Sequence, residues 1–287
     1  FIISSTSYCC LLFTAVVEDN YVNFIYRKDY STMLKTGYDF TKEEIIEKYS
    51  VLDQRRGLGK VFNERVIALS GNLSGKKILD AGCGFGELLV ALEKCYSASH
   101  LYGVDLIDVR IKEVSDKSGK IVIKKGDIQE KIPFEDNYFD LAFCTETLEH
   151  LKNPDHCLQE IIRVLKRTGF IVITVPNGTG FWPFLYLDSL IPTKWLRSRL
   201  LPYEHPSNTD QPVDTCYEYK EIIELICRNG LLIEKIEGWR YLRYLQMFPL
   251  IRNISPVVEW FFAKFKMERF AYNLFFLCRK DEETQGL

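Results

Sequence analysis

Residues 76–95, KKILDAGCGFGELLVALEKC, pass within one short stretch from an apolar run to three alternating glycines and then to an apolar pattern at helical spacing. The run predicts a buried strand and the last part a helix. Between them Gly82, Gly84 and Gly86 predict a turn whose backbone can approach a ligand with no Cβ in the way. A strand that enters a helix through such a turn predicts a parallel α/β sheet, and ligands of such sheets bind beyond the carboxyl ends of the strands. A dinucleotide fingerprint, G-x-G-x-x-G, would need glycine where Glu87 stands; Gly86 arrives one residue early, which argues against a pyrophosphate. Asp80, just ahead of the turn, would repel a phosphate and suits a cationic amino group.

Downstream, the alternation continues. LYGVDL, KIVIKKGD, YFDLAFC and FIVITVPN read as further strands, and LLIEKIEGW and AYNLFFLCRK as the last two. NPDHCLQEIIRVLKRTG predicts a helix with Asn153 as N-cap, Pro154 at the first helical position, Leu158, Ile161, Ile162 and Leu165 as one apolar stripe, and Gly169 as its stop. Upstream, Thr41 and Glu44 in TKEEIIEKYS form a capping-box signal, and GKVFNERVIAL reads as a second helix. Asp105 ends the second strand, where an acid can take both hydroxyls of a ribose. Asp127 ends the third, where it can accept a hydrogen bond from an adenine amino group with Ile128 against the ring.

The 287 residues, 47% apolar and 26% charged, fit one large domain. A formal net charge of -2 gives no global attraction to nucleic acid. Nine cysteines without a C-x-x-C pair read as reduced thiols in a cytosol. The uncharged first 17 residues lack a basic start and are diluted by Ser, Thr and Tyr, so neither a secretory signal nor a membrane span is expected there. The expected organisation is an N-terminal extension over 1–40, disordered or peripheral, and a single domain over 41–287. Cap insertions are expected at about 178–216 and 239–270.

Through ILDAGCGFGELL, GVDL, KGDI and the long stretch from Pro133 to Asn177, the chain resembles class I S-adenosylmethionine-dependent methyltransferases of the type 11 and ubiquinone-biosynthesis O-methyltransferase kind. The resemblance implies a Rossmann-like α/β fold: a seven-stranded, mostly parallel sheet with helices on both faces and an antiparallel last strand. It implies that the glycine turn supports the methionine part of S-adenosylmethionine, that Asp105 binds its ribose, and that Asp127 and Ile128 address its adenine. Asp80, Gly82, Cys83, Gly84, Gly86, Leu106 and Thr145 complete the expected cofactor set.

CTETLEHL, residues 144–151, places Glu146, Glu149 and His150 at i, i+3 and i+4, one face if the turn is helical. Similar residues bind a divalent cation in ubiquinone-biosynthesis and small-RNA 2'-O-methyltransferases, the latter with a downstream histidine; His205 would be that fourth ligand, and Mg²⁺, Mn²⁺ and Zn²⁺ all suit the set. Two other readings stay open. The glutamates can favour a helix N-terminus with His150 packed beneath it, or His150, with Glu146 beside it, can act without metal as the base that an oxygen acceptor needs.

Two variable segments bear on the acceptor. GTGFWPFLYLDSLIPTKWLRSRLLPYEHPSNTDQPVDTCYEY is too long for a tight connector and is expected to fold over the site, with Tyr217 and Tyr219 in the acceptor pocket. RYLRYLQMFPLIRNISPVVEWFFAKFKMER mixes aromatic and basic residues, and Pro249 and Pro256 are expected to break it into short helices. It reads as an amphipathic cap, as a membrane-surface segment, or, less in keeping with its apolar density, as an RNA-binding one. The resulting expectation is a cytosolic, membrane-peripheral O-methyltransferase of a lipid-like, quinone-like or glycoconjugate small molecule. The alternatives are an RNA 2'-O-methyltransferase with a divalent metal and a scaffold that binds the cofactor without transferring its methyl group.

Overall fold

The computed structural model describes residues 13–18, 21–26, 40–51, 59–96, 99–178, 213, 215, 217–241 and 249–281. The central sheet is built from β3 (Lys77–Ala81), β4 (His100–Asp105), β5 (Val122–Lys125), β6 (Phe139–Thr145), β7 (Leu165–Pro176), β8 (Leu231–Trp239) and β9 (Asn273–Lys280). Their order across the sheet is β5-β4-β3-β6-β7-β9-β8. Pairs from β5 to β7 are parallel, and β9 runs antiparallel to both β7 and β8. This is the seven-stranded sheet with an antiparallel last strand that the family resemblance implied. A separate antiparallel pair, β1 (Phe13–Glu18) and β2 (Tyr21–Tyr26), lies within the expected N-terminal extension.

Helices α1 (Lys42–Val51), α2 (Gly59–Leu69), α3 (Glu87–Cys95), α4 (Asp108–Lys117), α5 (Pro154–Val164), α6 (Tyr219–Arg228) and α7 (Pro249–Lys264) surround the sheet. Neighbouring strand residues point to opposite faces, so the core divides in two. On one face Leu79, Ala142 and Ile173 meet Leu158 and Ile161 of α5 and Ile222 and Leu225 of α6. On the other, Ile78, Leu141 and Phe143 meet Phe62 and Val66 of α2 and Leu88, Leu89 and Leu92 of α3. Each of the larger of these side chains, fully buried, contributes about 1.5–3 kcal/mol, which explains why the central strands are almost continuously apolar. The β5 edge is instead short and lysine-bearing, a composition that blunts pairing with another chain.

Local signals account for most helix ends. Thr41 Oγ1 accepts from the Glu44 amide at 3.2 Å while Glu44 Oε2 accepts from the Thr41 amide at 2.7 Å, which is the expected capping box. Asn153 Oδ1 caps α5 by accepting from the His156 amide at 3.2 Å. Two expectations need correction. α5 ends at Val164, not at Gly169: Leu165 is extended and pairs with Phe139, so the burial of its side chain in β7 outweighs its helix propensity. The register then jumps to Leu141 opposite Phe170, and a Cβ on Gly169 would come within 2.9 Å of the Lys166 carbonyl oxygen. Gly169 therefore serves this irregularity and not a helix stop. Secondly, α7 is one 16-residue helix that passes through Pro256 instead of breaking there. Pro249 takes its first position, where the missing N–H costs nothing, and Pro256 forfeits one internal bond.

Candidate active site

The glycine turn sits at the carboxyl end of β3. Gly82, Gly84 and Gly86 have φ of 81°, 52° and 69°, in the region that side chains disfavour. The amides of Gly82 and Cys83 donate to the Val104 carbonyl at 2.8 and 3.0 Å, which fastens the turn to the end of β4. A Cβ on Gly82 would lie 2.6 Å from Thr147 Cγ2 and one on Gly86 2.6 Å from Val114 Cγ1, whereas one on Gly84 would meet nothing within 4 Å. Gly82 and Gly86 are thus required by packing, and Gly84 faces open space.

Two acids frame that space. Asp105 Oδ2 accepts from the Gly84 amide at 2.9 Å and Oδ1 from the Ile107 amide at 2.9 Å. Burial pushes its carboxyl above the usual range, opposed by Arg110 and these amides. Asp80 is buried, and its Oδ1 has no hydrogen-bond partner. Burial, and then the charge of Asp105, raise its carboxyl to about 7. A lone buried carboxylate oxygen is costly unless a ligand completes it. What it lacks is a hydrogen-bonding cation, so the site fits an amino group and not a phosphate.

Cys83 and Ile128 are buried, and Leu106 and Thr145 half-buried. Burial, more than the nearby Asp80 and Asp105, pushes the Cys83 thiol up, so it packs as a neutral group. At the end of β5, Asp127 Oδ2 pairs with Lys42 Nζ at 2.8 Å and Oδ1 accepts from the Gln129 amide at 3.0 Å. Lys42 belongs to α1, which the sequence did not associate with the site. Tyr49, from the same helix, donates its hydroxyl to the Val213 carbonyl at 3.2 Å, and its own carbonyl accepts from Arg110 Nη2 at 3.2 Å. The Arg110 guanidinium lies over the rings of Tyr49 and Phe85, at 5.6 and 5.5 Å from their centroids. An arginine buried beside Asp105 gave no sequence signal beyond one basic residue in a polar helix.

The octet is not the helical turn its spacing suggested. Glu146 has φ of 47°, and only Leu148–His150 form a short 3-10 turn. Glu146 Oε1 accepts from Thr174 Oγ1 at 3.0 Å and Oε2 from Asn273 Nδ2 at 3.2 Å, which directs it toward β7 and β9. Glu149 is buried, with Oε1 3.8 Å from His150 Nε2. His150 Nδ1 lies 2.9 Å from the Val213 carbonyl oxygen. A carbonyl only accepts, so Nδ1 carries the hydrogen and Nε2 the lone pair of the neutral ring. Among the described residues no three His, Cys, Asp or Glu side chains stand where they can hold a metal ion. Glu146, outside that turn and directed toward β7 and β9, does not share with Glu149 and His150 the helical face that their spacing suggested. His205 lies outside the described residues, as does most of the segment 178–216. Of the expected acceptor tyrosines, Tyr217 is buried and donates to the Leu148 carbonyl at 3.3 Å, and Tyr219 packs at the edge of the core.

A family model described as a methyltransferase domain matches residues 79–173. The chain is 32% identical over 157 residues to a 2-phytyl-1,4-naphtoquinone methyltransferase of Nostoc punctiforme, covering 50% of this chain and 68% of that protein. It is 25% identical over 196 residues to a ubiquinone biosynthesis O-methyltransferase of Aeromonas salmonicida, covering 65% and 75%. Two further curated relatives are matched over only 42% and 28% of their own length. A solved S-adenosylmethionine-dependent methyltransferase from Mesorhizobium loti superposes with a TM-score of 0.53 at 15% identity, over 77% of this chain and 99% of that one, a likeness of fold.

Proposed function

The chain belongs to the class I S-adenosylmethionine-dependent methyltransferases, and from that premise we propose that it methylates the oxygen of a small-molecule, lipid-like or glycoconjugate acceptor. The observation that carries the cofactor assignment is the buried Asp80 oxygen without a partner, beside a glycine turn open at Gly84. When bound, S-adenosylmethionine supplies a methyl group made electrophilic by the sulfonium. Asp80 takes the amino group, with the Gly82–Gly86 turn, Cys83 and Thr145 around the methionine part. Asp105, with Leu106 beside it, takes the ribose hydroxyls, and Asp127 and Ile128 flank the adenine.

Methyl transfer asks the protein chiefly for alignment, with reacting atoms about 3–3.5 Å apart. An acceptor hydroxyl must also lose its proton as it attacks. His150 Nε2 is the base in this reading, held in the competent tautomer by the Val213 carbonyl, and the Glu149 carboxylate stabilises the positive charge that the ring gains. Glu146, through Thr174 and Asn273, ties β7 to β9 at their ends. The names of the quinone-related relatives support a small-molecule acceptor over nucleic acid. A cytoplasmic location, with contact at a membrane surface, belongs to the same proposal. No described helix is long and apolar enough to cross a membrane.

Calorimetry with S-adenosylmethionine and S-adenosylhomocysteine, against NAD and ATP, tests the pocket. Transfer of labelled methyl to phenolic lipids, glycans and RNA ends tests the acceptor. Binding of NAD or ATP in place of the sulfonium nucleoside overturns the first assignment. Methylation of RNA alone overturns the second, and binding without any transfer leaves a scaffold.

A further inference from the structure

Helix α7 carries its apolar residues on the wrong side for a helix that only caps a core. Val258 and Phe262 pack inward, Phe262 stacking on Tyr241 with centroids 4.8 Å apart. Yet Val257, Trp260 and Phe261, at helical spacing on another face, are 65%, 59% and 46% exposed, and Phe265 and Phe270 just beyond are 57% and 37% exposed. The exposed rings cluster, with Phe261 and Phe265 centroids 4.7 Å apart. A contiguous aromatic surface of this kind marks a contact.

Along residues 256–270 the exposed charges are of one sign. From Pro256 to Phe270 the exposed charged residues are Lys264, Lys266 and Arg269, while Glu259 and Glu268 are half-buried. Glu259 turns inward to accept from the Tyr241 amide at 3.1 Å. Lys264 Nζ lies 4.7 Å from the Trp260 ring centroid and the Arg269 guanidinium 4.5 Å from that of Phe270, so cations and rings occupy one surface. Trp and Phe flanked by Lys and Arg suit the headgroup layer of an anionic bilayer, where rings reach the acyl boundary and cations meet phosphate.

The position of this surface relates it to the site. The segment that bears α7 leaves the sheet at Trp239 and re-enters at Asn273, which pair with each other, and Asn273 also pairs with Pro176 at the carboxyl end of β7. Asn273 Nδ2 donates to Glu146, and Asn177 Nδ2 donates to the carbonyls of Arg269 and Ala271 at 2.9 and 2.7 Å. The aromatic surface therefore stands at the end of the sheet that holds the octet.

We propose that the outer face of α7, with Val257, Trp260, Phe261 and Phe265 as inserted residues and Lys264, Lys266 and Arg269 as headgroup contacts, seats the mouth of the site on an anionic membrane. This gives the membrane contact proposed above its surface, and that the membrane also delivers the acceptor rests on the acceptor proposed there.

The full chain is sedimented with phosphatidylcholine vesicles with and without phosphatidylserine, at low and high salt. Vesicles containing phosphatidylserine should bind at least about tenfold more tightly, with the difference lost in high salt. Trp260→Ser with Phe261→Ser should weaken binding at least about tenfold. Lys264→Ala with Lys266→Ala should remove most of the preference for anionic lipid. Affinity for S-adenosylmethionine, unchanged in all variants, certifies that they fold. Absence of vesicle binding by the unaltered chain, or equal binding by the variants, overturns the proposal. So does a dimer that Trp260→Ser disperses in the absence of vesicle binding, which assigns the face to a second copy. Vesicle binding without methyl transfer to any lipid sustains the docking surface and removes the acceptor assignment alone.

Discussion

The Gly84 amide donates to Asp105 Oδ2 at 2.9 Å, so one carboxylate both sets the height of the glycine turn and, through Oδ1, holds the Ile107 amide at the start of α4. Hydrogen bonds to a charged group are worth about 1.5–3 kcal/mol, equivalent to roughly 10- to 100-fold in affinity. Asp105→Ala should therefore weaken S-adenosylmethionine by at least that factor, because the turn relaxes and the ribose acceptor is lost together. Asp105→Asn keeps one acceptor and should fall between. Calorimetry reads both, and equal affinity in all three proteins would detach Asp105 from the pocket.

Gly82 and Gly84 share a positive φ and differ in surroundings, so their alanine variants should fail differently. At Gly82 the new Cβ meets Thr147 at 2.6 Å, adding about 1–3 kcal/mol of overpacking to about 1–2 kcal/mol of left-handed strain. Gly84→Ala meets no atom within 4 Å and bears the strain alone, yet places a methyl in the space assigned to the cofactor. Denaturant melts should thus show Gly82→Ala as the less stable protein. Calorimetry should show that Gly84→Ala, although folded, has lost more affinity than its small stability change explains.

The sheet was legible because its signals are local. Strand runs such as ILDA and FDLAFC, the Asn153 cap and the glycine turn each act within a few residues, and all seven strands of the sheet overlap the runs that predicted them, although β7 begins earlier, at Leu165. What was misread depends on distant partners. Leu165 looks like the next residue of a helical stripe until Phe139 offers it a strand partner. Glu146, Glu149 and His150 look like one helical face until Thr174 and Asn273, far away in the chain, hold Glu146 in a left-handed conformation. Arg110, Tyr49 and Lys42 drew no attention because nothing near them in the chain is unusual. The fold alone brings α1 and α4 over the ends of β4 and β5.

The Asp80 carboxyl, raised from 3.8 to about 7 by burial and then by Asp105, ties stability to pH. A raised acid favours the folded state while protonated, so this contribution is present at low pH. It is lost as pH rises from about 4 to about 7, with a total of roughly 4 kcal/mol. Asp80→Asn should therefore melt several degrees higher than the unaltered chain at about pH 8 and nearly level with it at about pH 4. Cofactor affinity should run the other way. Below about pH 7 a proton must leave Asp80 before it can hold an amino group, so affinity falls toward roughly tenfold per pH unit. Asp80→Asn should flatten that profile at a low affinity. A variant that gains no stability at about pH 8 would show that the buried oxygen carries no unmet charge.

The Val213 carbonyl lies 2.9 Å from His150 Nδ1, and in the proposed reaction Nε2 receives the acceptor's proton. Removing a positioned base costs typically about 10²–10⁴ in rate, so His150→Ala should lower kcat by that order while cofactor affinity stays within about twofold. An acceptor of low proton affinity, a nitrophenol for instance, needs less help from a base, and the loss should shrink with it. Glu146 poses the contrasting case. Its carboxylate oxygens accept from Thr174 and Asn273, so Glu146→Gln should lower stability modestly and kcat only in proportion to the disturbed strand ends. If His150 Nε2 takes the proton without a metal, as proposed above, excess chelator should leave turnover within about twofold. Were chelation to abolish turnover and magnesium to restore it, with His150→Ala and Glu146→Gln equally inactive, the proton would leave by way of a metal that draws on His205 or another residue outside those described. The base assigned to Nε2 would then fall.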